Sequence, residues 1–79
     1  MAKVNSNFKK ILRYLLNKHE EGQRVRVMQI EKELGIPTGR QYVWFLQKNG
    51  KIKKNREGKA VFVELNPKAI PYIKEWVKT

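Results

Sequence analysis

The stretch of sequence that decides the fold is residues 27–50, VMQIEKELGIPTGRQYVWFLQKNG. Its first apolar residues recur at helical spacing: Val27, Ile30 and Leu34. This spacing predicts a helix over about residues 28–34. Gly35 ends that helix, and Pro37 prevents its continuation because proline lacks the backbone N–H that a helix needs.

A second helix follows at once. Thr38 with Gln41 three residues later matches a capping box, which predicts a helix over about residues 39–49 that Gly50 stops. The two helices are therefore separated only by residues 35–38, which is the spacing of a helix-turn-helix.

The flanking segments complete the order of elements. Apolar residues at helical spacing predict a first helix over residues 5–19, capped by Asn5 or Ser6. Alternation over residues 24–27 predicts a short strand before the second helix, and we expect Met28 to fill the core.

After the third helix, alternation predicts a β-hairpin over residues 51–65 with Glu57-Gly58 at its turn. Pro71 suits the first turn of a helix, so a last helix is predicted over about residues 70–78. We expect one domain over residues 1–79, with a core fold over residues 6–65.

The composition limits the function. The chain has 79 residues, 18 Lys and Arg against 7 acidic residues, and a net charge of +11. This surplus favours a polyanionic partner. The sequence has no Cys and one His, and we find no carboxylate pair or phosphate loop, so we expect neither an enzyme nor a cofactor, metal or small-molecule site. No apolar run is long enough to span a bilayer, so we expect no membrane partner and a cytoplasmic protein, associated with the nucleoid if the source is prokaryotic.

The order helix, strand, helix, turn, helix, hairpin, helix resembles the winged helix-turn-helix family, and small archaeal, archaeal-virus and plasmid regulators within it. The resemblance covers residues 8–65. It rests on Leu34-Gly35-Ile36 at the turn and on Leu46-x-x-x-Gly50-x-Ile52, where the third helix passes into the hairpin. It implies an α+β fold and a double-stranded DNA-binding transcription regulator whose third helix enters the major groove and whose hairpin, the wing, touches flanking backbone.

Helical geometry gives the third helix an inner face of Gly39, Tyr42, Val43 and Leu46. The candidate DNA-binding residues on this helix are Thr38, Arg40, Gln41, Trp44, Gln47 and Lys48. Arg40 and Gln41 lie in the first turn, where recognition helices reach base edges. The alternatives are that Gln41 only caps the helix and that Arg40 and Lys48 are solvated charges. Trp44 contacts DNA, contacts a protein, or belongs to the core, and we expect Phe45 to lie under the hairpin.

The wing supplies the second candidate set of DNA-binding residues: Lys51, Lys53, Lys54, Arg56 and Lys59. Lys51 and Lys53 alternate with Ile52 and so point away from the core side, and the other three cluster at the tip. The alternative is that the basic hairpin only keeps the protein soluble. The last helix carries a further apolar set, Ile70, Tyr72, Ile73, Trp76 and Val77. This set either packs on the first helix of the same chain or forms a homodimer interface, which would place two recognition helices about 34 Å apart.

The sequence is also compatible with two other functions. An RNA-binding or ribosome-associated protein would use the same basic surface and stack unpaired bases on the exposed rings. A protein adaptor of a DNA- or RNA-processing complex would use Trp44 and Trp76 to bind its partner.

Overall fold

The computed structural model describes the backbone of residues 2–78 and the side chains of residues 6–78. Its elements follow the predicted order: α1 (Ala2–Glu20), β1 (Val25–Arg26), α2 (Val27–Leu34), α3 (Gly39–Lys48), β2 (Ile52–Glu57), β3 (Ala60–Leu65), a 3₁₀ turn (Pro67–Ala69) and α4 (Ile70–Lys78). The strands form an antiparallel sheet in the order β1-β3-β2. The architecture is therefore α+β, as the sequence predicted.

One hydrophobic core joins these elements. Its most buried residues come from both the helices and the sheet: Ile11, Leu12, Val25, Ile30, Val43, Ile52, Val63 and Ile73. No buried side-chain N or O atom of the described residues lacks a hydrogen-bond partner. The core therefore holds the helix-turn-helix and the hairpin in one body.

The hairpin has a fixed register, in which Ile52 pairs with Leu65 and Lys54 pairs with Val63. Glu57 pairs with Ala60, so the loop is Gly58-Lys59 and the predicted turn at Glu57-Gly58 was wrong by one residue. Gly58 has a φ of +61°, a left-handed conformation that a two-residue hairpin loop requires and that other residues rarely adopt.

The start of α3 is capped in a different way from the prediction. Thr38 precedes the helix, but its side chain makes no capping hydrogen bond, so the capping box expected between Thr38 and Gln41 was wrong. Instead the carboxylate of Glu31, on α2, accepts a hydrogen bond from the backbone N–H of Arg40 at 3.3 Å. A Cβ atom on Gly39 would lie 2.6 Å from Cγ of Glu31, so glycine allows this close approach.

One half of a capping box forms one helix earlier. The backbone N–H of Arg26 donates to Oε1 of Gln29 at 2.9 Å, at the start of α2. The predicted start of α1 was also wrong, because the helix begins at Ala2 and Ser6 lies inside it. The side chain of Asn5, the other predicted cap, lies outside the described side chains.

The last helix packs on α1 of the same chain. The guanidinium of Arg13 donates to the backbone carbonyl of Val77 at 2.9 Å, and Ile73 and Val77 belong to the core. Ile70 and Trp76 are half-buried against it, whereas Tyr72 is 71% exposed. The predicted dimer interface therefore loses Ile73 and Val77, since the monomer already buries them.

Glu31 is expected to stabilise α3 and Thr38 is not. Replacing Glu31 with alanine removes the acceptor for Arg40 and should lower the free energy of unfolding by about 1 kcal/mol. Thr38→Ala should change it by less than about 0.5 kcal/mol. Urea unfolding followed by circular dichroism measures both, and equal losses for the two variants would contradict the assignment of the cap.

Candidate nucleic-acid interface

The orientation of α3 follows from its inner face. Val43 and Leu46 are buried in the core, and the hydroxyl of Tyr42 accepts a hydrogen bond from Nδ2 of Asn7 at 3.0 Å. This packing on α1 turns the opposite face of the helix outward. The side chains exposed there are Arg40, Gln41, Trp44, Phe45, Gln47 and Lys48.

The outward face carries an aromatic pair. Trp44 and Phe45 are both 51% exposed, and their ring centroids lie 5.4 Å apart in an edge-to-face arrangement. This excludes a core position for Trp44, and the expectation that Phe45 lies under the hairpin was wrong. Phe45 instead reaches back toward Phe8 of α1, at 6.3 Å between centroids.

Cationic side chains border this aromatic pair. Nζ of Lys48 lies 4.9 Å from the centre of the Trp44 ring, in a cation–π arrangement. A shallow depression of about 350 Å³ is lined by Arg40, Gln41, Trp44 and Phe45. The first two turns of α3 therefore present hydrogen-bonding groups and flat apolar surface side by side.

A basic cleft separates α3 from the hairpin. It has a volume of about 390 Å³, and its lining residues come from α2, α3, β2 and β3 and from the ends of these elements: Arg26, Val27, Met28, Arg40, Lys54, Arg56, Lys59, Ala60 and Val61. Five of these nine residues are cationic, and no carboxylate is among them. We call this site the basic cleft. It brings Arg40 of the third helix together with three of the predicted wing residues.

The remaining predicted wing residues lie elsewhere. Because side chains alternate along a strand, Lys53 lies on the face of β2 opposite Lys54 and Arg56. Lys51 precedes β2 and its Nζ lies 5.9 Å from the centre of the Tyr72 ring, next to α4. Lys51 and Lys53 are therefore outside the basic cleft.

The outer face of the hairpin holds a stacked group that the sequence did not reveal. Cζ of Arg24 lies 3.9 Å from the centre of the Phe62 ring and that of Arg26 lies 5.6 Å from it. The guanidinium of Arg24 also pairs with Glu57, and Asn55 donates to Glu64. The pairing of β1 with β3 brings these side chains together. The stack could not be predicted from the sequence, because its residues come from separate short segments.

The prediction that Met28 fills the core was also wrong. It is 67% exposed at the mouth of the basic cleft rather than in the core. The sequence did indicate this exposure, because Val27 and Ile30 already form the inner face of α2 and helical geometry then places Met28 outside.

Nothing else among the described residues suggests a chemical centre. No group of three or more His, Asp or Glu side chains within residues 6–78 is placed to hold a metal ion. No helix over residues 2–78 has the length and apolar character needed to cross a membrane.

Comparison with known proteins gives a structural match. No protein-family model matches the chain, and no curated protein matches it. Among solved structures it is similar to Lactococcus lactis ZitR, solved as a cysteine-to-serine mutant, with 26% identity and a TM-score of 0.74. The match covers 92% of this chain and 50% of ZitR, so the chain spans about half the length of that protein.

The fold and this match together define the class. The chain has a winged helix fold, in which α2 and α3 form the helix-turn-helix and β2 and β3 form the wing. The match to ZitR over 92% of the chain supports this assignment of the fold.

The exposure of Trp44 beside Lys48 has a spectroscopic consequence. In a Trp76→Phe variant, the remaining indole should be quenched by iodide more strongly than by caesium, because the positive surface concentrates anions. In Trp44→Phe, the half-buried Trp76 should be quenched less by either ion. Steady-state fluorescence measures both, and stronger quenching of Trp76 than of Trp44 would contradict this geometry.

Proposed function

We propose that this protein is a double-stranded DNA-binding transcription regulator that inserts α3 into the major groove and contacts the adjacent backbone with its wing. The observation that carries the proposal is the basic cleft, which is lined by Arg40 of α3 together with Lys54, Arg56 and Lys59 of the wing. One polyanion lying across the cleft would meet both elements at once. The fold shared with ZitR supports a DNA-binding regulator.

The shape of the molecule supports major-groove binding. The major groove of B-DNA is about 12 Å wide and accepts one α-helix. The outward face of α3 is exposed, and its first turn is open to solvent at Arg40 and Gln41. The N-terminal residues of recognition helices are the ones that usually reach base edges.

Each residue predicted to bind DNA through α3 has a proposed role. Arg40 suits a bidentate contact to guanine and Gln41 suits one to adenine. The flat surface of Trp44 suits a thymine methyl group or a deoxyribose ring. Lys48 suits a phosphate, and Thr38 and Gln47 lie at the two ends of the face, where they would contact backbone.

The wing residues divide by position. Lys54, Arg56 and Lys59 line the basic cleft and are the ones we propose to neutralise phosphates. Lys53 lies on the opposite face of β2, so it would reach only flanking phosphates. Lys51 lies beside Tyr72, and we do not assign it to DNA.

The exposed aromatic pair favours one alternative function. Unpaired bases stack on exposed rings, and Trp44 and Phe45 are both half exposed, so single-stranded RNA is the second candidate ligand. Titration of the protein with duplex DNA, duplex RNA and single-stranded RNA of equal length distinguishes the two. Tighter binding to single-stranded RNA would overturn the proposal.

The finer features of this function are also proposals. A DNA-binding regulator performs no catalysis, and it works where the DNA is, in the cytoplasm and at the nucleoid in a prokaryote. The similarity to small archaeal regulators stays a prediction. A homodimer is also still a prediction, and its interface on α4 would consist of Tyr72 and the exposed part of Trp76. Sedimentation of the wild type and of Trp76→Ala measures the oligomeric state.

The salt dependence of binding should reflect the basic cleft. Contacts from Lys48, Lys54, Arg56 and Lys59 to four phosphates predict a slope of log K against log salt of about −3.6. Lys54→Gln should make this slope less steep by about 0.9, whereas Lys53→Gln should change it less. The two residues are adjacent and the charge change is identical, so equal effects on duplex DNA would contradict the assignment of faces.

The role of α3 is tested by specificity. A preferred site is first selected from random duplex DNA. Gln41→Ala should then weaken binding to that site by about 1–3 kcal/mol and leave binding to random DNA unchanged. Lys54→Gln is the matched control, because losing a phosphate contact should weaken both by a similar factor. If Gln41→Ala weakened both alike, α3 would not read sequence.

A further inference from the structure

A second surface pocket lies away from the basic cleft, where α1, α4 and the end of α3 meet. It has a volume of about 280 Å³ and shares no lining residue with the cleft. Its walls are formed by three aromatic rings and two aliphatic side chains, with two polar residues at the edge: Phe8, Tyr72, Trp76, Leu46, Ile73, Asn49 and Lys51. We call it the α1–α4 pocket.

The α1–α4 pocket is open to solvent on its α4 side. Tyr72 is 71% exposed, although the rest of the apolar face of α4 packs against the core. Tyrosine and tryptophan are the residues most enriched among the anchor contacts of protein interfaces. The exposed aromatic surface of α4 therefore has the composition of a binding site rather than of ordinary surface.

Lysines stand at both ends of this aromatic surface. Nζ of Lys51 lies 5.9 Å from the centre of the Tyr72 ring, and Nζ of Lys9 lies 5.9 Å from the centre of the Trp76 ring. Tyr72 and Trp76 are four residues apart on α4, about 6 Å along the helix axis. One ammonium group therefore lies near each of the two aromatic rings that α4 contributes to the pocket.

The position of Lys51 is fixed by the backbone. Its N–H donates to the carbonyl of Leu46 at 2.9 Å, and its carbonyl accepts from the N–H of Asn66 at 3.0 Å. Asn66 in turn donates through Nδ2 to the carbonyl of Gly50 at 2.8 Å. This holds Lys51 beside α4, and so removes it from the wing surface that would meet DNA.

The lysines around the pocket favour one kind of partner. A two-fold contact with a second copy of this chain would bring like lysines together, and each copy carries a net charge of +11. A partner with acidic residues on both sides of an apolar side chain would complement both lysines and fill the pocket. The volume suits one aromatic or leucine side chain.

We propose that the α1–α4 pocket is a docking site for an acidic peptide segment of a partner protein, which inserts one apolar side chain between Phe8, Tyr72 and Trp76 and pairs its flanking carboxylates with Lys9 and Lys51. Because this surface and the basic cleft use different residues, the partner and a nucleic acid can be bound together. The site does not depend on the identity of the nucleic acid.

The test uses three capped pentapeptides without nucleic acid. The first is Glu-Glu-Phe-Glu-Glu, the second replaces phenylalanine with glycine, and the third replaces the glutamates with glutamine. Titration into ¹⁵N-labelled protein at low salt should shift the amide signals of Asn49, Lys51 and Tyr72 with the first peptide. The other two should bind at least about tenfold more weakly, since each lacks one of the two kinds of contact.

Two variants and a control assign the site. Tyr72→Ala should weaken binding of the first peptide about tenfold or more, and the exposure of Tyr72 makes this variant safe for the fold. Lys51→Gln should weaken binding and make it less salt-dependent. Lys74→Gln, an equal loss of charge at an exposed residue of α4 outside the pocket, should leave binding unchanged.

Three results would overturn the proposal. Equal binding of the glycine peptide would show attraction of a polyanion alone. Signal shifts centred on Arg40 and Lys54 would place the peptide in the basic cleft. A dimer in sedimentation that dissociates on Tyr72→Ala would make a second copy of the chain the occupant.

Discussion

The pairing of Ile52 with Leu65, both buried, is the constraint on which the candidate interface depends. Burying one such side chain contributes about 1.5–3 kcal/mol, and alternation along the strand then assigns every other residue to a face. Lys54 and Arg56 share the face of Ile52, and beyond the core that face opens toward the start of α3. A slip of one residue would expose Ile52 and move both cations to the other side of the sheet. The hydrophobic pair at the base of the hairpin therefore determines on which face of the sheet Lys54 and Arg56 lie.

The glutamates complement this arrangement by lying outside the cleft. Glu31 caps α3, Glu33 accepts a hydrogen bond from Tyr14, and Glu57 pairs with Arg24 on the outer face of the hairpin. Their hydrogen-bond partners therefore belong to the start of α3, to α1 and to the outer face of the sheet. No carboxylate lines the basic cleft, so its cations are not neutralised from within the cleft. The cleft is therefore a region of positive charge on the surface, to which a polyanion is attracted.

The sequence predicted the elements and the inner faces, because both follow from spacing that is local to each segment. Helical spacing placed Val43 and Leu46 inside, and alternation placed Val63 and Leu65 inside. Long-range contacts were not predictable in this way. The cap of α3 comes from a residue nine positions earlier, and Phe45 is placed by Phe8 of α1. Alternation with Ile52 already placed Lys53 on the face of β2 away from the core, whereas the position of Lys51 beside Tyr72 of α4 required the fold. The sequence named residues of α3 and of the wing as two candidate groups, but only the fold shows that Arg40 of α3 and Lys54, Arg56 and Lys59 of the wing line one cleft.

The aromatic pair on α3 is costly for the free protein, since each half-exposed ring leaves apolar area in water that a core position would bury. The structure nevertheless restricts both rings. Phe45 contacts Phe8 and Trp44, and Trp44 contacts Phe45 on one side and Lys48 on the other. Rings held in this way lose little conformational entropy when a ligand covers them, so more of the contact energy remains as affinity. A surface that is both apolar and already ordered is what a binding face requires, and α3 concentrates it between Arg40 at its first turn and Lys48 at its last. The placement of these rings between cations supports the proposed ligand, because a nucleic acid offers flat bases together with anionic phosphates.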